Sequence, residues 1–242
     1  MASLKDESGY NQMFVPTKAL RVRTKKRCDF IISKLGKTQG SKILEIGCGT
    51  GELSYLLAKN TNAEILGSDI SKKFVFEASQ KYQFPRLTFE TIDFNSTDIL
   101  LNRKFDYVVG NGILHHLYFN IDKVLTKIFL MLNENGKIIF LEPNLLNPYC
   151  FAIFKFSYFR KLAKLEPGEM AFTKSFISKK LSVAGYSQIS VEYRDFLLPN
   201  TPESLIKPTL TFGSQLEKIP MVKYLSQSIF ISADKPKREN LW

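Results

Sequence analysis

No apolar run in these 242 residues reaches the length of a bilayer span, which excludes a membrane-crossing helix. The opening, MASLKDESGYNQ, lacks the basic and apolar regions of a secretory signal, so a cytoplasmic location is expected. Cysteine is scarce. Cys28, Cys48 and Cys150 have neither an even count nor metal-ligand spacing, so they read as reduced thiols rather than a disulfide framework or a cysteine-bound metal. His115 and His116 are the only histidines, and such a pair alone is too few ligands for a metal centre; none is expected. No repeat, low-complexity tract or long linker separates a second folding domain. Acid is also in deficit: 23 Asp and Glu stand against 34 Lys and Arg, a net charge of +11. Nucleic acid, an anionic membrane surface and an acidic substrate would each select such an excess.

What the chain has is concentrated in KILEIGCGTGELSYLLAKN, residues 42 to 60. Ile43, Leu44 and Ile46 suit a buried central strand, and Leu53, Leu56, Leu57 and Ala58 recur at helical spacing after a turn. That turn holds Gly47, Gly49 and Gly51. Glycine accepts positive φ and has no Cβ, so a ligand can lie directly on this backbone at the carboxyl end of the strand. The spacing is GxGxG with Glu45 two residues ahead, unlike the GxGxxG of pyrophosphate-binding loops.

The next apolar run, AEILGSD, ends at Asp69, 18 residues past Gly51, where an acid in a nucleotide-binding fold meets a ribose diol. Capping of a helix that begins near Ser71 is the competing role. LTFETID ends at Asp93 and Phe94, and Asp93 taken singly suits an ordinary strand-end turn. FDYVVGN ends at Asn111 with GILHHL behind it, and ENGKIIFLEPN supplies a turn and a fifth strand. Strands alternating with helical stretches imply a parallel sheet covered on both faces, with its ligand crevice at the carboxyl strand ends. A helix from about Thr173 to Ala184 stops at Gly185; a sixth strand and a last one from about Gln227 to Ala233 follow.

Two other regions stand out. KALRVRTKKR, Lys18 to Arg27, carries six basic residues and no acid, and reads as a surface helix with a solvated basic face. It lacks the interleaved aromatics of a single-strand stacking platform, which disfavours nucleic acid. After the fifth strand, Tyr149, Phe151, Phe154, Phe156, Tyr158 and Phe159 crowd among Lys155, Arg160, Lys161 and Lys164. They form either a cap packed on the core or a basic-rimmed apolar entrance for a lipidic acceptor, with peripheral contact at an anionic membrane.

The glycine loop with its preceding acid resembles motif I of the class I methyltransferases, and Asp69, Asp93 and Asn111 follow in that family's order between residues 41 and 144. HHL after the fourth strand is similar to the branch containing ubiquinone and menaquinone methyltransferases; the absence of NPPY or DPPY there disfavours methylation of amide or adenine nitrogen. The resemblance implies an α/β, Rossmann-like, seven-stranded and mostly parallel sheet with helices on both faces and a cap after the fifth strand. Its expected parts are an N-terminal helical lid over 1–40 and a methyltransferase domain over 41–242, with insertions at about 145–172 and 196–225. It implies S-adenosyl-L-methionine as cofactor, whose sulfonium and ammonium favour carboxylate, held by Glu45, Gly47, Gly49, Gly51, Asp69, Ile70, Asp93, Phe94 and Asn111. Asp93 would meet the adenine amino group and Phe94 the ring. The acceptor is expected to be a small molecule or a lipid- or glycan-linked group methylated on oxygen or carbon. An RNA-directed enzyme and a non-catalytic binding module are the alternatives. Either His115 or His116 would act as general base, since adjacent side chains are not expected to point the same way.

Overall fold

The computed structural model describes residues 17–95 and 102–237. The apolar runs become strands that alternate their side chains between two cores. Strands β1 (Lys42–Ile46), β2 (Glu64–Asp69), β3 (Leu87–Thr91), β4 (Phe105–Asn111) and β5 (Leu132–Pro143) are parallel where they pair. β6 (Ser187–Arg194) and β5 both pair with β7 (Ser228–Asp234) antiparallel, giving seven strands in the order β3-β2-β1-β4-β5-β7-β6. The expected Rossmann-like sheet is the observed one. The order reverses beside β1, so the glycine turn and the β4 end flank the switch point where α/β sheets bind ligands.

On one face, Ile43, Val109, Ile139 and Leu141 pack with Cys28 and Ile31 of α1 (Lys18–Lys34) and Leu53, Leu57 and Ala58 of α2 (Glu52–Asn60). On the other, Leu44, Ile46, Val108, Ile138 and Phe140 meet Val124, Leu125 and Ile128 of α4 (Ile121–Met131) and Ile177 and Leu181 of α7 (Lys174–Val183). Helix α3 (Lys72–Lys81) leads to β3, and Ser71 caps it by accepting from Phe74 N–H. Gly185, at φ +92°, ends α7 where the sequence places the stop.

Residues 145–172 carry two short helices, α5 (Pro148–Lys155) and α6 (Ser157–Leu162). Residues 196–225 hold α8 (Glu203–Leu216), with Pro208 inside it, and a 3₁₀ turn at Val222–Leu225. Residues 1–16 of the expected lid and 238–242 of the tail lie outside the described residues.

The solvated basic helix needs correction. The buried stripe of α1 is Ala19, Arg23, Thr24, Arg27, Cys28 and Ile31, so two arginines occupy inward positions. Both pair with Asp195 at 3.0 Å, and the Arg27 guanidinium also donates to Ser228 Oγ and Asn111 Oδ1. Burial and the adjacent Arg23 bring Arg27 down to about 10, against the opposing pull of Asp195. Burial pushes the Asp195 carboxyl up, but the two guanidiniums outweigh it and hold the carboxyl below its ordinary value.

Candidate active site

The turn after β1 is shaped by three glycines at positive φ, +70° at Gly47, +52° at Gly49 and +81° at Gly51. Their surroundings differ. A Cβ on Gly47 would stand 2.7 Å from the Ile113 side chain, and one on Gly51 2.8 Å from Ala78 and Phe89. A Cβ on Gly49 would meet nothing within 4 Å. The outer glycines thus let protein pack on the turn, while the middle one opens onto space. Asp69 stands beside that opening: Oδ2 accepts from Gly49 N–H at 2.8 Å and Oδ1 from Ser71 N–H at 2.9 Å. Capping of α3 belongs to Ser71, not to Asp69. A carboxylate accepts hydrogen bonds from hydroxyls as it does from backbone N–H groups.

Glu45 lies beneath the turn, 1% exposed, and its carboxylate accepts a short hydrogen bond from Ser54. Burial pushes its carboxyl up to about 8; Ser54 opposes the rise and the Asp69 charge adds to it. Ile70 follows β2 half-buried. The third strand ends at Thr91 rather than at Asp93, and Asp93 Oδ1 accepts from Asn95 N–H in a strand-end turn. Phe94 differs from expectation: its ring is buried in the core with Leu117 and Ile121. Cys48 is a buried filler whose thiol burial pushes well above its ordinary value.

Gly112, at φ +73°, turns the chain from β4 into a 3₁₀ helix, Leu114–Asn120, which carries both histidines. The expectation that the two side chains diverge is corrected. Their ring centroids lie 4.1 Å apart, because each ring is drawn inward by its own buried carboxylate. Glu142, wholly buried at the end of β5, accepts from the backbone N–H groups of Ile113 and Leu114 and lies 2.9 Å from His115 Nδ1. Glu169 Oε1 lies 3.3 Å from His116 Nδ1, an ion-pair contact without hydrogen-bond alignment. Met170 N–H donates to the His115 carbonyl, which ties the Glu169 segment to the histidine helix.

The two imidazoles titrate in opposite directions. Burial, then the neighbouring His116, holds His115 below the ordinary histidine value against the pull of Glu142. Burial also presses on His116, but Glu169 outweighs it and raises that pKa; Glu169 is itself held low, His116 overcoming the effect of burial. Neighbouring titratable groups whose surroundings push their pKa values apart are suited to separate acid and base roles. Neither Glu142 nor Glu169 was singled out from sequence. The available signal for Glu142 was its EP dipeptide at a carboxyl strand end, while Glu169, followed by Met170, carried none; nothing local announced their partners.

This sheet order, with a glycine turn after β1 and acidic strand ends, defines a Rossmann-like S-adenosylmethionine-dependent methyltransferase. The family described as "Methyltransferase domain" matches residues 37–171, more than half the chain, and the protein belongs to it. Magnesium-protoporphyrin O-methyltransferase of Synechocystis sp. is 27% identical over 179 residues, 72% of this chain and 74% of that one. A probable fatty acid methyltransferase of Pseudomonas putida is 26% identical over 129 residues, 51% of this chain and 32% of that one. Haemonchus contortus phosphoethanolamine N-methyltransferase 2, solved with S-adenosyl-L-methionine, superposes with a TM-score of 0.64 at 18% identity, covering 88% of this chain and 53% of that one. The chain spans 46%, 45% and 32% of the length of three other curated relatives it matches. Among the described residues no helix is long and apolar enough to cross a membrane.

Proposed function

We propose that this methyltransferase alkylates an oxygen or carbon of a small-molecule or lipid-linked acceptor, with His115 as general base. The observation that carries the reading is the buried Glu142 against His115 Nδ1. The carboxylate holds the proton on Nδ1 and leaves the Nε2 lone pair to accept one from the acceptor. His115 is low enough in pKa to be neutral at physiological pH. Its ring also stands edge-on to Phe154 of α5, 5.9 Å between centroids, so residues 145–172 adjoin the base.

S-adenosylmethionine, when bound, would supply an electrophilic methyl on a sulfonium, with the thioether as leaving group. The open side of Gly49 fits a ligand there, between Gly47 and Gly51. Asp69 would hold the ribose hydroxyls and Ile70 the adenine face. Asp93 and Asn111 complete the rim; Glu45 supports the turn from below, and Phe94 contributes as packing beneath Asp93. Alignment of two reactants in a dry site lowers a barrier by about 7 to 11 kcal/mol, so the chain's main tasks are orientation and taking one proton.

A lipid-linked acceptor draws support from the fatty acid methyltransferase likeness. The RNA-directed alternative loses ground, because Arg23 and Arg27 are buried and paired. The test is incubation of cell extract with methyl-labelled cofactor. Label in small or solvent-extractable molecules, lost in His115→Ala, supports the reading; label in RNA overturns it. Replacing Asp69 by Ala should weaken S-adenosylhomocysteine binding by about 1.5 to 3 kcal/mol, and an unchanged Kd would remove Asp69 from the site.

A further inference from the structure

We propose that the segments 145–172 and 196–225 together form one surface that docks on an anionic lipid bilayer. Helix α6 carries Tyr158, Phe159 and Leu162, yet none of its residues is buried. Tyr158 and Leu162 are 71% and 69% exposed, so the fold gives these side chains no packing role. They are not scattered. Phe151, Phe156, Phe159 and Tyr158 form a chain of edge-on rings, with successive centroids 6.0, 6.3 and 5.3 Å apart. A contiguous exposed apolar patch of this kind marks a contact site.

The patch is held rigidly from beneath. Arg160 donates to the carbonyls of Phe154, Glu166 and Glu169, at 3.0, 2.7 and 3.0 Å, which makes it an internal clamp rather than a free surface charge. Asn144 Nδ2 donates to the carbonyls of Tyr224 and Ser226 at 2.9 and 2.8 Å, and Asn147 Nδ2 donates to that of Leu225. These bonds set the second segment beside the root of α5. There Met221 is 78% exposed, with Ile219 and Leu225 exposed as well.

Charge decides the occupant. Lys155, Lys161 and Lys164 are exposed on the first segment and Lys218 on the second. Of the four acids on these segments, Glu169 and Glu217 are turned to partners inside the protein, His116 for one and Arg194 with the Asp195 N–H for the other; Glu166 is half-buried, and exposed Glu203 is paired with Lys18. Exposed aromatics rimmed by lysine match the boundary of an anionic bilayer, where rings enter the headgroup level and ammonium groups meet phosphate. A two-fold dimer through this patch would bring one lysine-rimmed surface against another of the same charge. The surface deepens the lipid-linked reading of the acceptor and rests on it only for the route past Phe154 to His115.

Cosedimentation with vesicles of phosphatidylcholine, alone or mixed with phosphatidylglycerol, tests the surface. The protein should be retained by the mixed vesicles and released as salt rises. Each of Lys155→Gln, Lys161→Gln and Lys164→Gln should weaken retention about fivefold. The double variant Phe156→Ser/Tyr158→Ser should lower it further, with S-adenosylhomocysteine affinity and Tm unchanged, since both side chains are exposed. Absence of retention, or retention equal in all variants, overturns the proposal. So does a wild-type dimer that the same substitutions disperse without any vesicle binding. Retention needs no turnover, so its absence in the wild-type protein with cofactor affinity intact overturns the docking surface alone, whereas wild-type retention without methylation of any lipid supports the surface against that acceptor.

Discussion

Nδ1 of His115 lies 2.9 Å from a carboxylate oxygen of Glu142, a residue 27 positions away that is wholly buried and also accepts backbone N–H groups at the start of the histidine helix. One side chain thus fixes both the backbone path and the ring. Because the chain has only two histidines, their ring protons can be followed by NMR without ambiguity. His115 should titrate below 6.5 and His116 above it, and Glu169→Gln should bring His116 down. Turnover should fall on the acid side as His115 gains its proton. His115→Ala should reduce turnover about 10²- to 10⁴-fold while cofactor affinity persists. Equal titration of both rings would remove the assignment.

The glycine turn separates packing from binding. Gly47→Ala forces a Cβ to 2.7 Å from Ile113 at an unfavourable φ, so Tm should drop and cofactor affinity fall with it. Gly49→Ala also carries the positive-φ penalty but meets no protein atom. Its loss of S-adenosylhomocysteine affinity should exceed its loss of Tm in proportion, because the methyl enters the ligand's space. Calorimetric titration beside thermal melts distinguishes the two.

Asp195→Ala leaves Arg23 and Arg27 buried next to one another without their shared carboxylate. Removing one partner from a buried ion pair costs about 3 to 5 kcal/mol, so urea unfolding should show a loss on that scale. Lys18→Ala breaks an exposed pair with Glu203 and should cost under about 1 kcal/mol.

Glu45 makes stability depend on pH in a defined direction. Its folded pKa of about 8 lies above the ordinary glutamate value of 4.5, so the folded state holds a proton that the unfolded chain releases. This contribution is fully present below about 4.5 and is lost as pH rises through about 8. Glu45→Gln should therefore be more stable relative to wild type at pH 9 than at pH 5, measured by thermal melts across that range. A difference independent of pH would show that the carboxylate is ionised throughout.

Local periodicity made much of the fold legible. Ile43, Leu44 and Ile46 announced β1, the glycines its turn, and Gly185 the end of α7, because each signal is confined to a few neighbouring residues. Pairings between distant residues were not legible. Glu142 and Glu169 sit in ordinary-looking stretches, and only folding brings them to the histidines. Arg23 and Arg27 occur at a spacing of four on the stripe of Ala19 and Ile31, a hint of burial that a run of basic residues obscured. The ring-stacking role of Phe94 is implied by the methyltransferase resemblance alone; in the fold the residue packs in the core with Leu117 and Ile121.

The clasp made by Arg27 has a consequence for synthesis. Its partner Asn111 emerges 84 residues later and Asp195 168 residues later, so during translation the α1 arginines have no counter-charge until most of the chain has left the ribosome. Docking of this early helix over the β4 end must await the last strands of the sheet. A nascent chain arrested before Asp195 should be unable to close its cofactor edge, which keeps methyl transfer a property of the completed polypeptide.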